Sequence, residues 1–372
     1  MLILCFLTGC TEDNKVIIDY SKSYNADYFQ VNELGIFGMI GREGIGYYDY
    51  SNQKNILLKK MDDMNLTTIQ GVCLWDNKIY YFDNTKNAVL MEMDVNGKNI
   101  KEIYDLSLDD YQYVNTQYVF GYTEGKVVFE LYAENIAENG IDTHTYHQIA
   151  MIDLKTKTFT PITEMCEVKP LNSLHLLSYS SDEIIYYVNS YDEDMMSMQE
   201  YIEKEGSSLY YHLYTEDLIQ TTIYSYHIPT KNTEVLYKDC AIEFESNCDI
   251  SDRLIYYRHH DGIYALNIDT KKTELMYQDD NLYLINSALS DELFFIRNNG
   301  EKSEYCSYNL ETKKTFVFCH IFLDDGNQDA YFIPTFETKD YYIGLSGEKM
   351  RSVVSKEAYF TGDYDQVISI GW

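Results

Sequence analysis

One short unit recurs along this chain and restricts its fold more than any other feature. The unit is an apolar strand, a single Asp, Asn or His, an aliphatic residue, a turn rich in Thr, Asn, Gly and Lys, then another strand. It reads Met93-Asp94-Val95-Asn96-Gly97-Lys98 and Ile152-Asp153-Leu154-Lys155-Thr156-Lys157. It returns as Tyr226-His227-Ile228-Pro229-Thr230-Lys231, as Leu266-Asn267-Ile268-Asp269-Thr270-Lys271 and as Tyr308-Asn309-Leu310-Glu311-Thr312-Lys313. A weaker copy is Tyr48-Asp49-Tyr50-Ser51-Asn52. The anchors Asp49, Asp94, Asp153, His227, Asn267 and Asn309 lie 45, 59, 74, 40 and 42 residues apart. The short intervals match one four-stranded propeller blade of roughly 40–45 residues, and the long ones imply insertions.

A second strand precedes each of the last five anchors, as in Lys78-Ile79-Tyr80-Tyr81-Phe82, Ile184-Ile185-Tyr186-Tyr187-Val188 and Leu293-Phe294-Phe295-Ile296. A further copy is Tyr341-Tyr342-Ile343-Gly344-Leu345. Polar turns such as Asp76-Asn77 and Ser290-Asp291 stand before these runs and mark hairpins. The expectation is an all-β chain forming a single β-propeller of about seven blades. The blades are placed at 27–60, 69–104, 117–163, 174–237, 244–277, 284–320 and 329–370, each running A-B-C-D with its anchor at the end of strand C. Tyr at 38 residues and aromatics at 15% suit pleated, half-buried strands. Ring closure is expected from Val16–Tyr20, or from the strand over 27–32, pairing near Val367–Ile370, which removes sheet edges.

At the amino terminus Leu2 to Leu7 are apolar, followed by Leu7-Thr8-Gly9-Cys10 and then polar residues. This resembles the lipobox of bacterial lipoproteins. The resemblance implies a leader over 1–9, truncated at its start, a lipid on Cys10, a tether over 10–26 and a propeller over 27–372. The blade rhythm resembles the YWTD-like or TolB-like propellers of bacterial surface lipoproteins, many without known function. That likeness implies a protein on the outer side of the cell membrane, and it carries no ligand residues across. No later segment approaches the ~20 apolar residues of a membrane-spanning helix.

The net charge of −31 disfavours nucleic acid and anionic lipid as partners. In a propeller, D-to-A and B-to-C connections share one face, while A-to-B and C-to-D turns share the other. Asp62-Asp63, Asp109-Asp110, Asp279-Asp280 and Asp324-Asp325 fall on the first. Lys54, Lys98, Lys155, Lys157, Lys231, Lys271, Lys272, Lys313 and Lys314 fall on the second. One face is therefore expected to be acidic, and the other to carry a lysine ring that focuses potential over a central depression. The insertions lie on the acidic face: Tyr132–Tyr146 in blade 3, and Asn189–Thr221 in blade 4. Long loops on a rigid scaffold are where binding concentrates. Asp192, Glu193 and Asp194 in the second insertion, and His259-His260-Asp261 in blade 5, are the candidate binding residues.

No catalytic constellation stands out, and no cofactor or metal site is expected. Gly41–Gly46 lacks the helix and Lys-Ser/Thr of a phosphate loop. Gly344-Leu345-Ser346-Gly347 is not a nucleophile elbow. No C-x-x-C occurs. His144 and His147 sit on opposite strand faces. Cys306 and Cys319 are symmetric about the 312–313 turn centre and form a candidate disulfide, with two buried thiols as the other reading. The expected role is non-enzymatic binding or scaffolding of a protein, peptide or glycan over the acidic face. The alternative is a glycan- or peptide-processing enzyme using the axial pocket, and a third reading is a structural partner of a membrane complex.

Overall fold

The computed structural model describes residues 29–31, 35–40, 43–60, 68–123, 125–136, 143–168, 173–191, 219–240, 248–251, 253–259, 262–298, 302–322, 332–346, 349–363 and 366–370. They form seven antiparallel sheets, each made from one continuous stretch of chain. Blade 1 comprises β1 (Phe29–Val31), β2 (Gly35–Ile40), β3 (Gly44–Asp49) and β4 (Lys54–Lys60). Blade 2 comprises β5 (Ile69–Trp75), β6 (Lys78–Asp83), β7 (Val89–Asp94) and β8 (Lys101–Asp105). Blade 3 comprises β9 (Tyr113–Thr123), β10 (Lys126–Ile136), β11 (Thr143–Asp153) and β12 (Thr158–Pro161), with β13 (Cys166–Glu167) as a fifth strand on β11. Blade 4 comprises β14 (Ser173–Tyr179), β15 (Glu183–Tyr191), β16 (Ile219–His227) and β17 (Asn232–Cys240). Blade 5 comprises β18 (Cys248–Ser251), β19 (Leu254–His259), β20 (Gly262–Asn267) and β21 (Lys272–Gln278). Blade 6 comprises β22 (Leu282–Leu289), β23 (Glu292–Asn298), β24 (Lys302–Asn309) and β25 (Thr315–Phe322). Blade 7 comprises β26 (Ile333–Glu337), β27 (Tyr341–Ser346), β28 (Lys349–Ser355) and β29 (Ile368–Ser369), with the short helix α1 (Lys356–Thr361) before its last strand.

The double-aromatic runs now have a physical reason. Successive residues of a strand point to opposite sheet faces. In β6, Ile79 and Tyr81 enter the cluster shared with blade 1, while Tyr80 and Phe82 enter the one shared with blade 3. In β15, Ile184 and Tyr186 face blade 3, and Ile185 and Tyr187 face blade 5. In β23, Phe295 packs towards blade 5 and Phe294 towards blade 7. The middle of strand B is therefore mostly apolar, because both its faces are buried. The seventh junction joins Ile36, Tyr48 and Tyr50 of blade 1 to Ile343 and Val353 of blade 7 and to Ile370 just beyond its last strand, and it closes the ring. First strands of successive blades touch one another, as in β1 with β5, β5 with β9 and β22 with β26, so strand A is innermost.

Of the two closing strands expected, the one over 27–32 does not exchange. The strand at 29–31 pairs with β2, and Ile368–Ser369 pairs with β28, so neither completes the other's sheet. Side chains join blades 1 and 7, including Tyr50 stacked on Tyr341 at 4.8 Å. Val16–Tyr20 lie outside the described residues.

The recurring anchor is turn chemistry. Asp153 Oδ1 accepts the backbone N–H groups of Lys155 and Thr156, both at 2.9 Å. Asn267 and Asn309 do the same for Thr270 and Thr312, at 2.8 and 2.7 Å. Such Asx turns favour Asp and Asn. Each of these turns ends on a lysine in the left-handed region: Lys157, Lys271 and Lys313, at φ 55°, 55° and 57°. Partial burial disfavours the charged Asp153, yet the Thr156 and Lys155 N–H groups outweigh it and hold the carboxyl below its ordinary range. Blade 7 replaces the anchor turn with α1, capped by the Ser355 hydroxyl and ended by Gly362 at φ 74°.

Beta-bulges supply the twist. In five outer hairpins one D-strand residue lacks a register partner: Leu58, Ile103, Leu236, Met276 and Phe318. A bulge increases local right-handed twist and turns an added side chain inward. This shift also corrects the cysteine expectation. Cys319 pairs with Tyr305, whereas Cys306 pairs with Val317, so the two are not opposite. Cys306 is a free, buried thiol, and burial pushes its pKa up to about 12.

The seam between blades 1 and 7 should be sensitive to loss of aromatic area. Tyr50→Ala is expected to lower the unfolding free energy by about 3 kcal/mol in urea titrations. A cost under about 1 kcal/mol would show that Tyr50 does not help to hold the ring closed.

Candidate functional site

The two faces are chemically distinct, though less simply than charge counting suggests. On the face of the D-to-A connections, Asp109, Asp110 and Asp280 are exposed. Asp279 is half-buried and engaged. It accepts a hydrogen bond from Tyr277 OH at 3.2 Å and lies 3.5 Å from Arg297 Nη1. Arg297 Nε also donates to Glu304 at 2.7 Å, and Lys302 reaches the same carboxylate at 2.8 Å. Burial opposes the charge on Glu304, but Lys302 and Arg297 outweigh it and keep its carboxyl below the usual range. Asp62, Asp63, Asp324 and Asp325 lie outside the described residues, as do Asp192, Glu193, Asp194, His260 and Asp261. His259 ends β19, and only its backbone is described.

The lysines of the opposite face are exposed. They sit on C-to-D turns, which the strand order puts at the perimeter, so they do not surround the axis. Several brace neighbouring blades or their own blade. Lys271 Nζ donates to the Val235 carbonyl of the preceding blade at 3.3 Å, and Lys155 lies over the Trp75 ring of blade 2 at 5.8 Å. The ring expected over a central depression is therefore a rim.

The blade 3 insertion is a continuation of the sheet. Strands β10 and β11 stay paired from Lys126↔Asp153 out to Ile136↔Thr143. The start of β9 flanks them on the inner side and β13 on the outer. One side of this raised sheet packs against blade 2 through Val114, Ala133 and Tyr146. The other side is open along a transverse row. Tyr113 pairs with Glu134, Glu134 pairs with Thr145, and the Val168 N–H donates to the Thr145 carbonyl at 2.7 Å. Paired residues share a face. Tyr113, Val168 and, one step further out, Ile136 are 47%, 43% and 39% exposed.

Beneath this sheet lies a buried polar cluster that sequence reasoning missed. Glu130 is 0% exposed. Its Oε2 lies 3.1 Å from His147 Nε2, and its Oε1 accepts the Leu176 backbone N–H of blade 4 at 3.0 Å. His175 Nδ1 is 3.8 Å from Oε1. Tyr132 stacks on His147 at 4.1 Å, and His175 meets Tyr187 at 5.2 Å. His144 points the other way and pairs with Glu167 at 2.8 Å, as the strand alternation required. The signal for Glu130 was present in the repeat. Counted from the start of strand B, its position holds Phe82, Tyr187 and Ile296 in other blades. Only blade 5 resembles it, where Arg258 Nη1 donates to the Tyr283 carbonyl of blade 6 at 2.9 Å. In both cases a charged B-strand side chain ties down the first strand of the next blade.

Among the described residues no group of three or more His, Cys, Asp or Glu could hold a metal ion. No helix there is long and apolar enough to cross a membrane.

These features define a seven-bladed β-propeller with a built-up sheet on one loop face. No protein-family model matches the chain, and no curated protein matches its sequence. Solved structures are similar in fold. One is a chain from a structural and mechanistic analysis of two prolyl endopeptidases, at 14% identity and a TM-score of 0.51 over 93% of this chain and 49% of that one. Others are TolB from Acinetobacter baumannii (12% identity, 90% of this chain and 77% of that one, TM-score 0.38) and an oligogalacturonate lyase in complex with manganese (10%, 77% and 72%, TM-score 0.43). At such identities the likeness shows the propeller fold alone, and this chain spans about half of the endopeptidase.

Glu130 offers a direct test of the cluster. Glu130→Ala leaves the Leu176 N–H and His147 without their acceptor and is expected to cost about 3 kcal/mol of stability. Glu130→Gln keeps an acceptor and should cost about 1 kcal/mol. Equal costs for the two, read from urea midpoints, would mean that only volume matters there.

Proposed function

We propose that this chain is a lipid-anchored, extracytoplasmic propeller that binds or scaffolds a protein, peptide or glycan over its acidic loop face, without catalysis. One observation carries the reading: the open side of the blade 3 sheet, where Tyr113, Ile136 and Val168 are exposed on a rigid support. Exposed apolar groups gathered in one place mark interaction sites, whereas single ones do not. In blade 4, β15 ends at Tyr191 and β16 begins at Ile219 on the B-to-C side, and the long connection 192–218 between them lies outside the described residues. The Leu7-Thr8-Gly9-Cys10 sequence supports anchoring at Cys10.

An enzyme acting on glycans or peptides at the axis is the second reading. The Glu130, His147 and His175 cluster near the innermost strand is what favours it. Against it, the Glu130 carboxylate is already committed to a backbone N–H and an imidazole.

Two experiments test the proposal. Fractionation of cells carrying Cys10→Ala should move the protein from the membrane to the soluble fraction; unchanged membrane association would refute a lipid on Cys10. A pull-down of cell-envelope components with the full chain should retain a component that is lost when 192–218 is replaced by a short linker. Equal retention by both proteins would remove that connection from the binding surface.

A further inference from the structure

The strongest unexplained feature is the open side of the blade 3 sheet. We propose that it docks a basic, amphipathic polypeptide segment, with apolar side chains seated on Tyr113, Ile136 and Val168 and a Lys or Arg over Glu134. This deepens the binding proposal and rests on it for the choice of face.

Three observations support this occupant. The first is geometry. Tyr113, Glu134, Thr145 and Val168 form one row across four strands, with their side chains on the same face. Strands lie about 4.8 Å apart, so Tyr113 and Val168 stand roughly 14 Å from one another with the carboxylate between them. An extended segment laid across the strands, or about three turns of a helix, spans that distance. The second is exposure. Leu57, Val235, Leu275 and Phe316 are exposed singly on the outer strands of different blades, which is ordinary for a protein surface. Tyr113, Ile136 and Val168 are gathered on one sheet face whose reverse is packed against blade 2.

The third is charge. Glu134 makes no side-chain hydrogen bond or ion pair among the described residues, unlike Glu92, Glu130, Glu183 and Glu304, each of which has a cationic or imidazole partner. Glu164, Asp109 and Asp110 are exposed nearby in the chain, while Glu167 pairs with His144 on the reverse side of the sheet. A carboxylate with no partner among the described residues, set inside an apolar row, selects a cation flanked by apolar groups. The chain's charge of −31 attracts a basic partner from a distance. A glycan fits less well, because two of the three exposed anchors are aliphatic and offer no ring to stack on a sugar.

The test uses the full chain and fluorescence anisotropy. The probes are a short labelled Leu/Lys amphipathic peptide, a Gly/Lys peptide of equal charge, a Leu/Glu peptide and a neutral chitooligosaccharide. The Leu/Lys peptide should bind, and the others should bind at least about tenfold more weakly. The triple change Tyr113→Ser, Ile136→Ser and Val168→Ser should weaken Leu/Lys binding by about tenfold or more. Glu134→Lys, a single change at a half-buried position, should do likewise and should flatten the salt dependence. Leu/Lys binding that is absent from the wild type, or unchanged in both variants, would overturn the inference. So would equal binding of the Gly/Lys peptide or preferential binding of the oligosaccharide. The triple variant also separates this idea from the broader one. If it retains the same envelope component as the wild type, binding over the face stands and the docking site is elsewhere.

Discussion

Burial of both faces of every sheet is the constraint on which the rest of this protein depends. A strand such as β6, with Ile79, Tyr80, Tyr81 and Phe82 all buried, cannot be solvated on either side. Each blade therefore needs a neighbour on its left and on its right, and a ring supplies both without end effects. Seven apolar clusters, one at each junction of successive blades, account for the closure. At roughly 1.5–3 kcal/mol for each fully buried large side chain, these junctions are the main source of stability. The last junction obeys the same rule as the other six.

Given that ring, polar groups inside it have to be placed with care. Glu130 and Arg258 occupy a B-strand position that is apolar in other blades, and each spends its charge on the backbone of the next blade's first strand. Ser287 does similar work by donating to the Pro334 carbonyl at 2.6 Å. An unsatisfied group there would cost about 1–3 kcal/mol, so such contacts also align neighbouring blades in one register. Blade 3 departs furthest from its siblings. Above Glu130 its sheet continues outward, and the reverse side leans on blade 2 for support, which leaves the other side free to meet a ligand.

Electrostatics follow from the same radial order. C-to-D turns lie at the circumference, so their lysines form a rim whose members also brace the ring. D-to-A connections start at the circumference and end at the axis, and there Asp279 is drawn into the Arg297 and Glu304 network while Asp109 and Asp110 remain in solvent. Among the described residues, Asp109 and Asp110 keep part of that face acidic beside blade 3, near its exposed apolar row, and Asp280 does so beside blade 6.

The fold itself was legible from residues. Continuous aromatic runs announce strands buried twice over, and the Asp or Asn before a Thr-Lys turn announces a hairpin, because both signals are local and recur in most blades. Blade order, strand order and the position of the long connections followed from them. What the sequence could not disclose depends on register and on neighbours far along the chain. A single bulged residue in a D strand moved Cys319 away from Cys306. Side-chain packing, invisible to a pairing argument, joins blades 1 and 7 where the strand at 29–31 was one candidate for exchange. His147 read as an isolated histidine until β10 set Glu130 beside it. Tyr113, Glu134 and Val168 are far apart in sequence and became one surface only when three strand pairings and a short fifth strand aligned them. Local pattern determined that this chain builds blades; three-dimensional contact alone decided which of their side chains would meet.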